Sequence, residues 1–138
     1  MTMVRRVFVT AALLSVVHYI DNTVHFDDYT GGKPGFITRA MIPISWVLFT
    51  IAGIAGYRAL VQGNRRLGSS LLGAYSVSGL VGILHYTTVS PSDFNALQNT
   101  FIGLDFLAGL AVFVMAVRIA VSRPPTTTGR SPVGSASR

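Results

Sequence analysis

Six side chains in this sequence combine reactive chemistry with informative spacing: His18, Asp21, Asn22, His25, His85 and Asp105. In a helix turning about 100° per residue, positions 18, 21, 22 and 25 stand at i, i+3, i+4 and i+7 and share one face. Imidazole and carboxylate in one place suit several roles. His18, Asp21, His85 and Asp105, with His25 beside them, are the residue types that ligate zinc, iron or another divalent ion. A histidine and Asp105 would exchange protons with a lipid or other hydrophobic substrate. His18 and His85 on two helices would hold a haem. The spacing completes no known ligand signature such as H-E-x-x-H. A plainer reading is a His–Asp clasp that fixes the register of neighbouring helices, since histidines near helix C-termini and an aspartate near a helix N-terminus also suit the helix dipole.

Long uncharged segments must position these groups. Residues 40–57, 67–92 and 94–117 contain one formal charge, Asp105. A hydrocarbon core of about 30 Å needs about 20 apolar residues in helix, so each segment is long enough to span a bilayer. Half the residues are apolar and only 12% are charged, and mean hydropathy is +0.53. Cysteine is absent, which excludes disulfides, thiolate metal sites, iron–sulfur clusters and cysteine nucleophiles.

A first span over about residues 7–26 completes an even number. Its uncharged stretch 7–20 follows Arg5 and Arg6 and also fits the apolar region of a signal peptide, but Asp21-Asn22-Thr23-Val24 offers no small-x-small cleavage site. The remaining spans are expected over about 38–57, 67–89 and 100–121, with an outer loop at 27–37, where Gly31, Gly32, Pro34 and Gly35 break helices. Residues 122–138, rich in Pro, Ser, Thr and Gly, read as a disordered cytoplasmic tail after the single domain of residues 1–121.

The net charge of +6 belongs to this topology. Arg5, Arg6, Arg58, Arg65, Arg66, Arg118, Arg123, Arg130 and Arg138 fall at one side of a four-span arrangement, and only Lys33 and Arg39 at the other. That asymmetry places both termini in the cytoplasm of a bacterial inner membrane and directs the basic charge to anionic lipid rather than nucleic acid. The Arg-over-Lys usage agrees with a bacterial source.

The expected fold class is therefore an all-α membrane protein, a four-helix up-and-down bundle joined by short loops. Ser70, Ala74, Ser78 and Gly82 recur every four residues in the third span, and Ala108, Gly109, Val112 and Ala116 line the fourth. Such small-residue stripes let backbones approach closely, within one copy or between the copies of a homo-oligomer. His18, His85 and Asp105 would all lie within about two turns of the outer helix ends, bringing ionisable groups to one level of the bilayer. Tyr19, Tyr29, Trp46, Tyr75 and Tyr86 read as packing or interfacial aromatics.

The stretch from His18 to Tyr29 has the pattern H-x-x-D-N-x-x-x-F-x-x-Y, followed by a turn and a span containing Pro43 and Trp46. It resembles a largely uncharacterised family of small four-span bacterial integral membrane proteins. The resemblance covers the first half of the chain and implies a helical membrane protein without implying an activity. The expected role is a small polytopic membrane protein whose outer polar cluster is structural or binds a small hydrophobic ligand or ion. The alternative is a membrane-embedded enzyme that uses the same cluster, with or without a metal.

Overall fold

The computed structural model describes residues 1–33 and 35–122. Apart from Ser122, the expected tail lies outside the described residues. Among these residues six α-helices run in order: α1 Thr2–Val24, α2 Phe26–Thr30, α3 Met41–Val61, α4 Arg65–Leu80, α5 His85–Thr88 and α6 Ala96–Val121. A 3-10 turn at Val81–Leu84 joins α4 to α5, a second lies at Pro91–Asp93, and no strand occurs among the described residues. Among the described residues four helical stretches are long and apolar enough to cross a membrane: α1, α3, Arg65–Thr88 and α6.

Local chemistry explains the helix ends. Gly31 and Gly32, at φ 62° and 64°, end α2, so residues 27–30, expected in a loop, form a short helix instead. Gly63 at φ 83° turns the chain between α3 and α4, and the Asn64 side chain caps α4 by accepting from the Leu67 amide at 3.2 Å. A capping box starts α6 at Ala96, several residues earlier than expected. Asn95 Oδ1 accepts from the Leu97 and Gln98 amides, and Gln98 Oε1 accepts from the Asn95 amide.

Each long helix is adjacent to its sequence neighbours, and α1 also packs on α6. The bundle is thus a closed up-and-down ring in the order α1, α3, α4, α6. Met1, Val4, Leu60, Gly63, Arg65 and Ile119 gather at one end, where Arg65 Nη2 donates to the Ile119 carbonyl at 2.7 Å. The amino terminus therefore shares an end with the last turn of α6, and α2, α5 and the polar cluster occupy the other.

The main core, Phe8, Ala11, Leu60, Leu72, Tyr75, Val112, Met115 and Ala116, fills the half nearer the termini. A smaller cluster of Tyr29, Phe94 and Ile102 closes the opposite end. Val9, Leu13, Val17 and Ile20 on α1, and Ile44, Val47, Leu48 and Ile51 on α3, point outward. Helices that are apolar on their exposed faces need an apolar solvent.

Close backbone contact between α4 and α6 occurs at Gly79 and Gly109. A Cβ on Gly79 would collide with the Asp105 carbonyl oxygen, and one on Gly109 would lie 2.9 Å from the Ser76 carbonyl oxygen. The contact face of α4 is not the expected four-residue stripe. Ser70 and Ala74 are exposed, while Gly68, Ser69, Leu72, Tyr75, Ser76 and Gly79 are buried with Ser78 and Gly82. On α6, Gly109, Val112 and Ala116 are buried as expected.

Candidate functional site

The buried face of α1 consists of Phe8, Ala11, Ser15, His18 and Asn22. Those steps of three and four residues keep one line of the helix against its neighbours. Asp21 and His25 fall on the edge of that line, Asp21 half-buried and His25 exposed. The arc expected to point inward as a unit therefore divides between interior and rim.

At the rim, hydrogen bonds tie α2 and α5 to α1. Asp21 accepts from the Tyr29 hydroxyl at Oδ2, 2.6 Å, and its Oδ1 lies 2.9 Å from His25 Nδ1. Burial, reinforced by that bond to the Asp21 carboxylate, pushes the Tyr29 phenol above its ordinary pKa. The Asn22 amide donates to His85 Nε2 at 3.0 Å, which leaves the imidazole proton on Nδ1. Gln98 Nε2 donates to Asp28 Oδ2 at 3.1 Å and joins α6 to α2. Outside this network Arg39 bonds Asp27 at 3.2 Å and lies over the Phe26 ring.

The 3-10 turn at Val81–Leu84 carries His85 to this network. His85 is partly buried and faces the neighbouring helices: its ring meets His18 and Tyr29, and its Nε2 lies against the Asn22 amide.

His18 lies beneath the network and is only 2% exposed. Its ring meets Tyr29, His85 and Tyr19 edge to face, with centroids 5.7, 5.7 and 6.0 Å away. Its Nδ1 is buried and has no hydrogen-bond partner. The ring nitrogen on the cavity side is Nε2, which a Cβ on Gly82, also of the lining, would meet at 3.7 Å.

Beside His18 opens a cavity of about 570 Å³. It lies between α1, α2, the first half of α3 and the α4–α5 junction. Its polar lining is His18, Tyr19, Asn22, Ser45, Ser78 and His85, and Phe26, Phe36, Ile37, Ile42, Phe49 and Leu84 supply much of the apolar wall. The lean of α3 makes this space. Its buried residues are Gly53, Gly56, Ala59 and Leu60, all in the half nearer the termini. There a Cβ on Gly56 would sit 3.0 Å from Leu71 Cβ and the Leu72 amide, whereas no residue of α3 before Gly53 is fully buried.

Asp105 is 1% exposed and stands apart from the cavity. Ser15, Tyr19 and Tyr75 are its polar neighbours, and neither Asp105 Oδ2 nor Ser15 Oγ meets hydrogen-bond geometry. The expected clasp between a histidine and Asp105 is therefore replaced by Asp21–His25 and Asn22–His85.

The ligand set His18, Asp21, His85 and Asp105 is not brought together. Among the described residues no three His, Asp or Glu side chains converge as a metal would require; Asp21 is bonded to Tyr29, and Asp105 stands apart from the cavity. The haem arrangement fails on geometry as well. The rings of His18 and His85 touch edge to face, leaving no room for a porphyrin between them, and His85 Nε2 is already engaged.

Tyr29, Asp28, Gln98, Ser45 and Gly82 belong to the site without having been singled out for it. Tyr29 closes the H-x-x-D-N-x-x-x-F-x-x-Y stretch, and Gln98 follows Asn95 at capping-box spacing. Gly82 ends the small-residue stripe of the third span, read there as helix packing, and Ser45 carries no sequence signal.

No protein-family model matches the chain. No curated protein or solved structure matches it either.

Proposed function

We propose that this chain is a bacterial inner-membrane protein that binds a small lipid-soluble molecule in the cavity beside His18. The observation that carries the reading is His18, a buried histidine in the cavity lining whose Nε2 faces Gly82 in the same wall. The volume, about 570 Å³, falls within the range of small-molecule sites, about 300–1,000 Å³. A mostly apolar lining with a few convergent polar groups is also what such sites have. The Tyr29–Asp21 and Asn22–His85 bonds fix three of the lining residues, Tyr29, Asn22 and His85, and so support a pre-formed cavity.

The charge distribution supports a periplasmic position for the cavity. Arg5, Arg6, Arg58, Arg65, Arg66 and Arg118 stand at the terminal end, Lys33 and Arg39 at the cavity end. The enzyme reading receives less support, because the Asp21–His25 pair lies at the rim and neither residue lines the cavity.

The test is co-purification. Protein extracted in mild detergent is expected to carry a small lipid in stoichiometric amount by mass spectrometry. Gly82→Leu is expected to lose it, since a Cβ there faces His18 Nε2 at 3.7 Å and a larger side chain would fill the cavity. A wild-type preparation with no bound molecule, or an unchanged load in a folded Gly82→Leu, refutes the reading.

A further inference from the structure

The chemistry of the lining narrows the occupant, on the footing of the binding role proposed above. We infer that the cavity takes a lipid of the isoprenoid-quinone class, with its planar, carbonyl-bearing head against His18 and its tail leaving sideways into the bilayer.

The head must be uncharged. The polar groups in the interior part of the lining, His18, Tyr19, Asn22, Ser45 and Ser78, carry no formal charge, and no carboxylate lines the cavity. The formal charge in the lining is Lys33, which is exposed. A charged head beside His18 would lose its hydration without gaining a counter-charge. A carbonyl oxygen needs one donor, and His18 in the tautomer protonated at Nε2, the ring nitrogen that faces Gly82 in the cavity wall, supplies it.

The head must also be flat. Phe26, Tyr29, Phe36, Phe49 and the two imidazoles ring the space. For an aliphatic tail in a bilayer such walls offer little over lipid, whose chains are equally apolar. For a planar π system they offer stacking and edge-to-face contact. Tyr29 and His85 already meet in that way with centroids 4.7 Å apart.

The tail leaves where α3 leans away. Phe36, Ile37, Met41 and Leu84 line the cavity and are exposed at 86, 45, 43 and 56%. This gives an apolar mouth between the start of α3 and the α4–α5 junction. In the bilayer such a mouth admits a molecule already dissolved in lipid.

Trp46, the single tryptophan, adjoins Ser45 on α3 and is a built-in reporter. Decylubiquinone titrated into the protein in nanodiscs is expected to quench it saturably, and 1-decanol, with an equal tail and no ring, is expected neither to compete nor to raise thermal stability. His18→Phe, which keeps a ring but not the donor, is expected to weaken binding about tenfold, the order of one lost hydrogen bond. Gly82→Leu is expected to abolish saturable quenching, and it carries the test if the His18 variant does not fold. Non-saturating quenching that is the same in wild type and Gly82→Leu overturns the inference. If another lipid co-purifies while decylubiquinone fails to bind, the quinone assignment falls and the binding role stands. If nothing co-purifies and no probe binds, both fall.

Discussion

Replacing Gly79 with alanine tests whether α4 and α6 are held by backbone contact. The new Cβ would collide with the Asp105 carbonyl oxygen and lie 3.1 Å from Gly109 Cα. Both obstacles are backbone, so no side-chain rotation relieves them and the two helices must separate. Overpacking of this kind costs about 1–3 kcal/mol, and the upper end applies because the rigid partner also anchors Val112 and Met115 in the main core. Alanine returns about 1 kcal/mol of helix propensity. The expected net loss is about 2 kcal/mol, close to thirtyfold in the folding equilibrium. Gly73→Ala is the matched control. Nothing lies within 4 Å of its Cβ position, so it is expected to be neutral or to stabilise by up to about 1 kcal/mol. The assay is reversible unfolding in mixed micelles of rising SDS fraction, followed by Trp46 fluorescence. If Gly79→Ala unfolds within about 0.5 kcal/mol of wild type, or no earlier than Gly73→Ala, the reasoning is refuted.

Asn22→Ala leaves His85 Nε2 without its donor and is expected to cost about 1–2 kcal/mol in the same assay. His85→Ala added to it should cost little more, so additive losses would contradict the pairing. Tyr29→Phe removes the 2.6 Å bond to Asp21 and is expected to lose about 1 kcal/mol near neutral pH. Because the folded-state phenol titrates above its unfolded value, Tyr29 contributes stability that is present below about pH 10 and lost as pH rises. The stability gap between wild type and Tyr29→Phe should accordingly narrow above pH 10, and a constant gap would rule that linkage out. Gln98→Ala removes both the α6 cap and the bond to Asp28, and is expected to cost more than the roughly 1 kcal/mol of Asn95→Ala. Equal losses would show that the link to α2 contributes nothing. Reporter fusions at both ends of the chain are expected to read cytoplasmic, and opposite locations would contradict the charge-based topology.

Four apolar segments, their order and most of their turns follow from the residues alone. Hydropathy over 20 residues is a sum that no single contact changes, and Gly31 acts within one turn of its own position, whereas the Asn95/Gln98 box that starts α6 at Ala96 went unread and the span was expected from about residue 100. The presence of polar groups on the inward face of α1 was legible in the same way, since His18 and Asn22 lie in line with Ala11 and Ser15. Which groups pair was not. His85 reaches Asn22 rather than Asp105 because Gly79 is the residue of the third span that meets the Asp105 backbone, and His85 stands about 9 Å of helix beyond it; periodicity within one helix does not say which level of another it meets. The cavity was equally out of reach. It exists because α3 is held close only at Gly53 and Gly56 and leans away beyond them. The sequence determined the solvent, the number of crossings and the residue types available for a site. Only the tertiary structure decided that Asp21 bonds Tyr29, that His85 bonds Asn22, and that His18 lines the cavity. Pairing depends on where two distant helices cross, and a crossing is set by packing between helices rather than by spacing within one.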